Sequence, residues 1–384
     1  MPSLRYLTLL FVLALLSQVA LATSALIPSP PKLGADSYIL MDASSRRVLV
    51  SNNPDKRVAP ASLTKMMTAY IADREMAAGR LSMDDEAVVS VNAWKTGGSR
   101  MFIREGNRVT VGELLRGIIV QSGNDASVAL AEQIAGSEKA FAEMMNQQAR
   151  QLGMENTHFT NATGLPDPDM VTTARDMTLL AIAKIRDFPE TYDLYSQRHY
   201  TYNGIRQPNR NRLLWRDQSV DGLKTGYTKA AGYCLAASAK RDGRRLVSVV
   251  MGASSVKARE RETQQLLNYG FRYYDTDRLY EGGQKVTDAR VWKGENNQID
   301  LGLESDLYVT YPSGSRDSLE PVVEVDPVLE APLERGTVLG SMTLSLGDET
   351  MAKRDLVALH DVDEGGLFKW IWDAIKLFFM NLFS

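Results

Sequence analysis

Three short groups of residues in this 384-residue chain could together do covalent chemistry on an amide. Ser62-Leu63-Thr64-Lys65 places an amine three residues after a hydroxyl. Ser122-Gly123-Asn124 offers a second hydroxyl and a carboxamide. Lys224-Thr225-Gly226 adds a second cation, a third hydroxyl and a glycine. A serine hydroxyl is a weak nucleophile until a neighbouring base takes its proton. In this order the groups read as a serine acyl-transfer site without histidine, in which Lys65 activates Ser62. Such a site opens amides or lactams through a serine ester.

The spacing has to be converted into geometry by local structure. Ser-x-x-Lys also occurs at Ser29-Pro30-Pro31-Lys32 and Ser254-Ser255-Val256-Lys257. Only Ser62 opens a segment with helical periodicity, predicted from Ser62 through Arg74 on Met66, Met67, Tyr70 and Ile71. One helical turn brings residues i and i+3 together and sets the hydroxyl near the positive helix end. The prolines after Ser29 oppose such a turn, and Ser254 reads as a turn residue after a strand. Ser122-Gly123-Asn124 is expected as a loop between helices over Val111–Ile119 and Asp125–Ile134. Lys-Thr-Gly also occurs twice. Lys95-Thr96-Gly97 is loop-like, whereas Lys224-Thr225-Gly226 leads into an apolar strand. An edge strand there can offer backbone N–H groups and a cation to a substrate. Strands are expected at Ser37–Asp42, Arg47–Val50, Leu223–Lys240 and Arg245–Ala253. With helices between early and late strands, an α/β domain whose sheet uses both ends of that segment is predicted. From about Thr276 to Asp363, short alternating runs predict a small all-β domain.

Composition excludes other chemistries. Charged residues are 24% of the chain and the net charge is −3, which gives no footprint for a polyanion such as nucleic acid. Three scattered histidines, His158, His199 and His360, and the single Cys234 make no metal-binding pattern, and no cofactor is expected. Cys234 lies in an apolar run and reads as a buried thiol. No Gly-x-Ser-x-Gly elbow is present.

The ends speak about location. Residues 1–25 combine Arg5, an apolar stretch from Tyr6 to Leu16, and small residues at Ala20-Leu21-Ala22 and Thr23-Ser24-Ala25, as a cleaved secretory signal does. An uncleaved anchor is the alternative, and the apolar stretch is short for a span. Residues 364–384 hold a run of aromatic and aliphatic residues in which Lys369, Asp373 and Lys376 share one helix face. Burying such charges at a bilayer centre costs about 2.5–3.5 kcal/mol each. A helix lying in the interface keeps them wet, and docking on the protein's own core is the alternative. Export and this tail together imply an enzyme on a membrane surface.

These residues resemble the penicillin-binding proteins and serine β-lactamases, and within them the low-molecular-mass D-alanyl-D-alanine carboxypeptidases of the penicillin-binding protein 5 and 6 type. The resemblance runs from the signal through Ala59–Lys65, Val120–Ala126 and Asp221–Gly226 to the β-rich segment and the tail. It implies a transpeptidase-like α/β catalytic domain over residues 26–275, a β-rich domain over 276–363 and a membrane-anchoring helix over 364–384. It also implies removal of the terminal D-alanine from peptidoglycan pentapeptide stems at the periplasmic face of the bacterial inner membrane, and covalent inhibition by β-lactams. Carried over by motif, Ser62 is the nucleophile, Lys65 its base and Ser122 a proton relay. Asn124 holds a substrate amide, Lys224 and Thr225 face the terminal carboxylate, and the N–H groups of Ser62 and Tyr227, after Gly226, form the oxyanion hole. Arg210 is the candidate for carboxylate binding. Arg259 is expected instead in a surface or interdomain ion pair. Where the family commonly has Lys-Thr-Gly-His-Thr, this chain has Tyr227, and Ser127 stands where some relatives carry cysteine. The rivals are a D,D-endopeptidase using the same residues, a non-catalytic cell-wall or antibiotic-binding protein, and a β-lactamase. The last would want Glu-x-x-Leu-Asn between the second and third motifs, and none is present.

Overall fold

The computed structural model describes residues 27–383, so the expected signal over 1–25 lies outside the described residues. Two compact units emerge. One comprises Ser29–Tyr280 with Asp306–Thr310, and the other contains Glu281–Ser305 and the chain from Tyr311 onward. The first is a mixed α/β domain and the second is all-β, ending in a helix.

The α/β unit is built on a five-stranded antiparallel sheet. Its strands are β1 (Ser37–Asp42), β2 (Val48–Asn52), β3 (Val220–Thr228), β4 (Gly232–Arg241) and β5 (Arg244–Ala253), in the order β2-β1-β5-β4-β3. The amino-terminal hairpin thus joins a later meander through β1 and β5, from Ser37 opposite Met251 to Asp42 opposite Leu246. The span expected as one strand, Leu223–Lys240, is two strands, because Lys229, Ala230 and Ala231 form the turn between β3 and β4. β3 is left as a sheet edge.

The segment expected as a helix from Ser62 is also composite. A 3-10 turn, Ala61–Thr64, leads into α1 (Lys65–Ala77). Every residue of α1 from Lys65 to Asp73 is buried, so the helix runs through the core rather than over it. The apolar periodicity places Met66, Met67, Ala69, Tyr70 and Ile71 in that core. Lys65 and Asp73 must then find polar partners inside the protein. α2 (Val111–Arg116) begins at a Thr110/Glu113 capping box. It then widens into a π-helical turn, Gly117–Gln121, which ends at Ser122 in the left-handed conformation. α3 (Asn124–Ala135), α4 (Glu138–Gln151), α5 (Ala174–Asp187) and α6 (Val256–Tyr273) are the longer helices that follow. Ser137, Thr173 and Ser255 cap the last three through their hydroxyls. Ser254 accordingly precedes a helix cap, and Lys95 closes a short helix, so the duplicate motifs stay local structure.

The second unit carries a six-stranded sheet. Its strands are β6 (Lys285–Trp292), β7 (Gln298–Gly302), β8 (Leu319–Val325), β9 (Leu329–Glu330), β10 (Val338–Leu346) and β11 (Glu349–Ala358), in the order β8-β10-β11-β7-β6-β9. The terminal helix α7 (Leu367–Phe383) differs from the expectation in which face is wet. Asp373 is buried and accepts the Lys293 N–H at 3.0 Å. Lys369 donates to the Gly294 and Glu295 carbonyls. Part of the charged stripe is thus pinned to the β-domain, because it meets backbone groups left unpaired beyond β6. Phe368, Trp372 and Phe378 are turned outward.

Candidate active site

The 3-10 turn sets Ser62 one turn before Lys65, whose buried Nζ stands 3.2 Å from Ser62 Oγ. Two other acceptors receive Lys65 Nζ, Asn124 Oδ1 at 2.6 Å and the Thr163 carbonyl at 2.5 Å. A neutral amine has two N–H bonds and one lone pair. With both N–H bonds so engaged, the lone pair is left facing the Ser62 hydroxyl. Burial, and next the Arg210 charge, bring Lys65 down to about 7, while Asp125 and Glu138 oppose the shift.

Ser122 faces this pair across the cleft. Its Oγ accepts from Lys224 Nζ at 2.9 Å, and Lys224 also donates to the Thr225 carbonyl at 3.1 Å. Burial holds Lys224 well below the ordinary lysine range, reinforced by Lys65, Arg210 and Arg259. Asn124 is committed at both ends of its amide, since Nδ2 donates to the Gly97 carbonyl at 2.7 Å. One side-chain N–H is left over for a substrate carbonyl. Arg210 is exposed and is anchored by Nε to the Gln121 carbonyl, next to Ser122.

Gly226 lets the edge strand touch the turn that carries Ser62. A Cβ there would lie 3.2 Å from Ala61 Cβ and 3.3 Å from Ser62 N. The backbone of Tyr227 therefore lies beside that of Ser62, while its ring is exposed and packs at a tilt on Tyr233, with ring centroids 4.4 Å apart. Among the described residues Arg259 forms no ion pair of the kind expected. Arg259 is buried, and it donates to the Gly226 carbonyl at 3.1 Å and the Cys234 carbonyl at 3.3 Å, behind β3. The guanidinium thus supplies a donor to one carbonyl on β3 and to one on β4, where the register of β4 against β5 shifts between Tyr233 and Leu235. Cys234 is buried, and burial pushes its thiol up to about 11, which suits a packing role.

Several residues of the site carry no motif. Asp125 receives the N–H groups of Met101, Phe102 and Ile103 at 2.8, 2.8 and 3.3 Å, tying that loop to the Ser-Gly-Asn turn. Glu138 accepts from Ala162 N at 3.0 Å and Thr68 donates to Ala162 O at 2.7 Å. Together they fix the segment that presents the Thr163 carbonyl to Lys65. Gly164, at φ +79°, follows so closely that a Cβ would strike the Ala61 carbonyl. Sequence offered no signal for these beyond a glycine and two acids, because their partners are remote in the chain. Among the described residues no cluster of His, Cys, Asp and Glu could hold a metal.

Comparison with known proteins shows the family of the chain. Residues 24–255 match the D-alanyl-D-alanine carboxypeptidase family, and residues 274–364 match the C-terminal domain of penicillin-binding protein 5. The D-alanyl-D-alanine carboxypeptidase DacA of Escherichia coli K12 is 42% identical over 367 residues, 94% of this chain and 91% of that protein. The crystal structure of penicillin-binding protein 5 from Haemophilus influenzae superposes with a TM-score of 0.86 at 42% identity, covering 88% of this chain and all of the other. Penicillin-binding protein D2 of Listeria monocytogenes in its ampicillin-bound form aligns with 64% of the chain at 30% identity and a TM-score of 0.59, covering all of that protein.

Proposed function

The chain belongs to the D-alanyl-D-alanine carboxypeptidase family of serine peptidases, and from that membership we propose how its own residues remove a terminal D-alanine. The observation that carries the reading is the Lys65 amine, buried and lowered to about 7, facing Ser62 at 3.2 Å.

Neutral Lys65 takes the Ser62 proton as Oγ bonds to the carbonyl carbon of the penultimate D-alanine. The N–H groups of Ser62 and Tyr227 receive the oxyanion. The C–N bond then breaks, and the leaving nitrogen takes a proton from Lys65 by way of the Ser122 hydroxyl, so D-alanine departs with a neutral amine and an ionised carboxylate. Lys224, Thr225 and Arg210 hold its carboxylate. Water, deprotonated by Lys65, then cleaves the ester and restores Ser62. A β-lactam reacts at the same carbon, but its amine stays tethered to the acyl group and shields the ester from water, so the adduct persists. Labelled penicillin is expected to appear, on peptide mass mapping, on the peptide bearing Ser62; an adduct on any other residue would overturn the assignment.

The base must be neutral before acylation. kcat/KM is therefore expected to fall on the acid side with a midpoint near 7, the value to which Lys65 is lowered. A rate flat from pH 5 to 8 would contradict Lys65 as the base.

The family acts on the bacterial cell wall, and we place this chain outside the cytoplasm on a membrane surface. No helix among the described residues is long and apolar enough to cross a membrane. The outward Phe368, Trp372 and Phe378 of α7 suit an interfacial seat, with Lys369 and Asp373 held by the β-domain. The full chain should co-sediment with phospholipid vesicles, and a chain ending at Glu364 should not. Equal sedimentation would refute the anchor.

A further inference from the structure

A cavity of about 280 Å³ opens beside the nucleophile turn and is not used by the chemistry above. Its walls include Pro60, Leu165, Pro166, Met170, Thr228 and Ala230, and one carboxylate, Asp167, stands on its lip. The position along β3 says which part of a substrate passes it. Lys224 and Thr225 serve the leaving carboxylate and Tyr227 N–H the oxyanion. A strand advances about 3.3 Å per residue, so Thr228 and the turn beyond it flank the residue on the acyl side of the scissile bond.

The wall is rigid and the carboxylate is presented rather than buried. Pro166 and Pro168 bracket Asp167, and a following proline keeps a residue extended. Leu165 is tied back by its N–H to Thr163 Oγ1 at 3.1 Å and by its carbonyl to Asn161 Nδ2 at 3.2 Å. Asp167 is exposed and uses only one oxygen locally, accepting the Asp169 N–H at 2.9 Å. Asp169 is exposed on the same segment, and Lys229 is exposed in the facing turn. One carboxylate, Asp167, therefore stands at the wall of an otherwise apolar trough. An aliphatic side chain ending in a cation complements that pattern, and a neutral or acylated end does not.

We propose that this cleft receives the side chain of the diamino acid that precedes the two D-alanines, with Asp167 pairing its free terminal ammonium. The proposal rests on the carboxypeptidase reading and names the stem it prefers. Cross-linking converts that amine into an amide, which removes the charge. The enzyme is thus directed to stems whose diamino acid is still unlinked.

The test measures D-alanine release by the full chain from three peptides of the form acetyl-X-D-Ala-D-Ala. X is lysine, Nε-acetyl-lysine or norleucine. An exposed ion pair supports a preference of about fivefold in kcat/KM for lysine over Nε-acetyl-lysine. That ratio should shrink as salt is raised. Asp167→Asn should bring it close to one while leaving norleucine peptide turnover unchanged. Equal rates on all three peptides in the parent protein would overturn the proposal, as would a ratio that survives Asp167→Asn. No release from any of the three would overturn the carboxypeptidase reading itself, and this proposal with it.

Discussion

Lys65→Ala should fold normally and release D-alanine about a thousandfold more slowly than the parent, the range in which general-base catalysis contributes. Three contacts converge on this one amine, from Ser62, Asn124 and Thr163. No other group among them can take the serine proton, since the Asn124 amide and the Thr163 carbonyl are not bases near neutrality. Lys224 is the remaining amine of the site, but it is turned to Ser122 rather than Ser62. Lys65→Arg should fail as completely, because a guanidinium keeps its proton in proteins. The reading is checked by steady-state D-alanine release together with penicillin acylation. Both should collapse in parallel, since both begin with the same proton transfer. Acylation at the parental rate in Lys65→Ala would move the base elsewhere.

The second large effect is on stability. Asp73 on α1 and Lys184 on α5 form an ion pair in which each side chain is 1% exposed, and Lys184 also donates to Thr191 Oγ1 at 2.7 Å. Burial pushes the Asp73 carboxyl up and the Lys184 amine down, and each partner opposes the shift of the other. Asp73 Oδ1 has no hydrogen-bond partner. Lys184→Met would leave that carboxylate buried without its counter-charge, at a cost of about 3–5 kcal/mol. In a domain of this size that is a fall of roughly 10 °C in Tm. Adding Asp73→Leu should recover most of the loss, because a buried pair is commonly replaced by apolar groups at little cost. Thermal unfolding of both variants decides this. A single variant as stable as the parent would mean the carboxyl is already neutral and indifferent to its partner.

The residues we propose to act are the ones most legible in the sequence. Ser62 and Lys65 are joined by a local turn, so their spacing alone implies their contact. Ser122, Asn124 and Lys224 are recognisable because each sits in a short motif with a clear structural setting. What supports them was not legible. Asp125 and Glu138 look like ordinary acids at helix starts, and only the fold brings the Met101–Ile103 loop and Ala162 to them. Arg259 followed by Glu260 reads as a surface or interdomain ion pair, and burial behind β3 depends on how α6 lies on the sheet. The helix α1 was foreseen from its apolar spacing, but its burial on all sides was not. Its charged members, Lys65 and Asp73, are each satisfied by a partner far away in sequence. The same holds for α7, whose charged stripe read as solvated but partly meets the backbone at Lys293–Glu295.

The most direct test is D-alanine release from diacyl-Lys-D-Ala-D-Ala by the purified chain and its Ser62→Ala variant, with circular dichroism showing both folded. The expected result is release by the parent chain and none by the variant. Release that persists after Ser62 is removed would contradict the acyl-enzyme on which the whole assignment of roles depends.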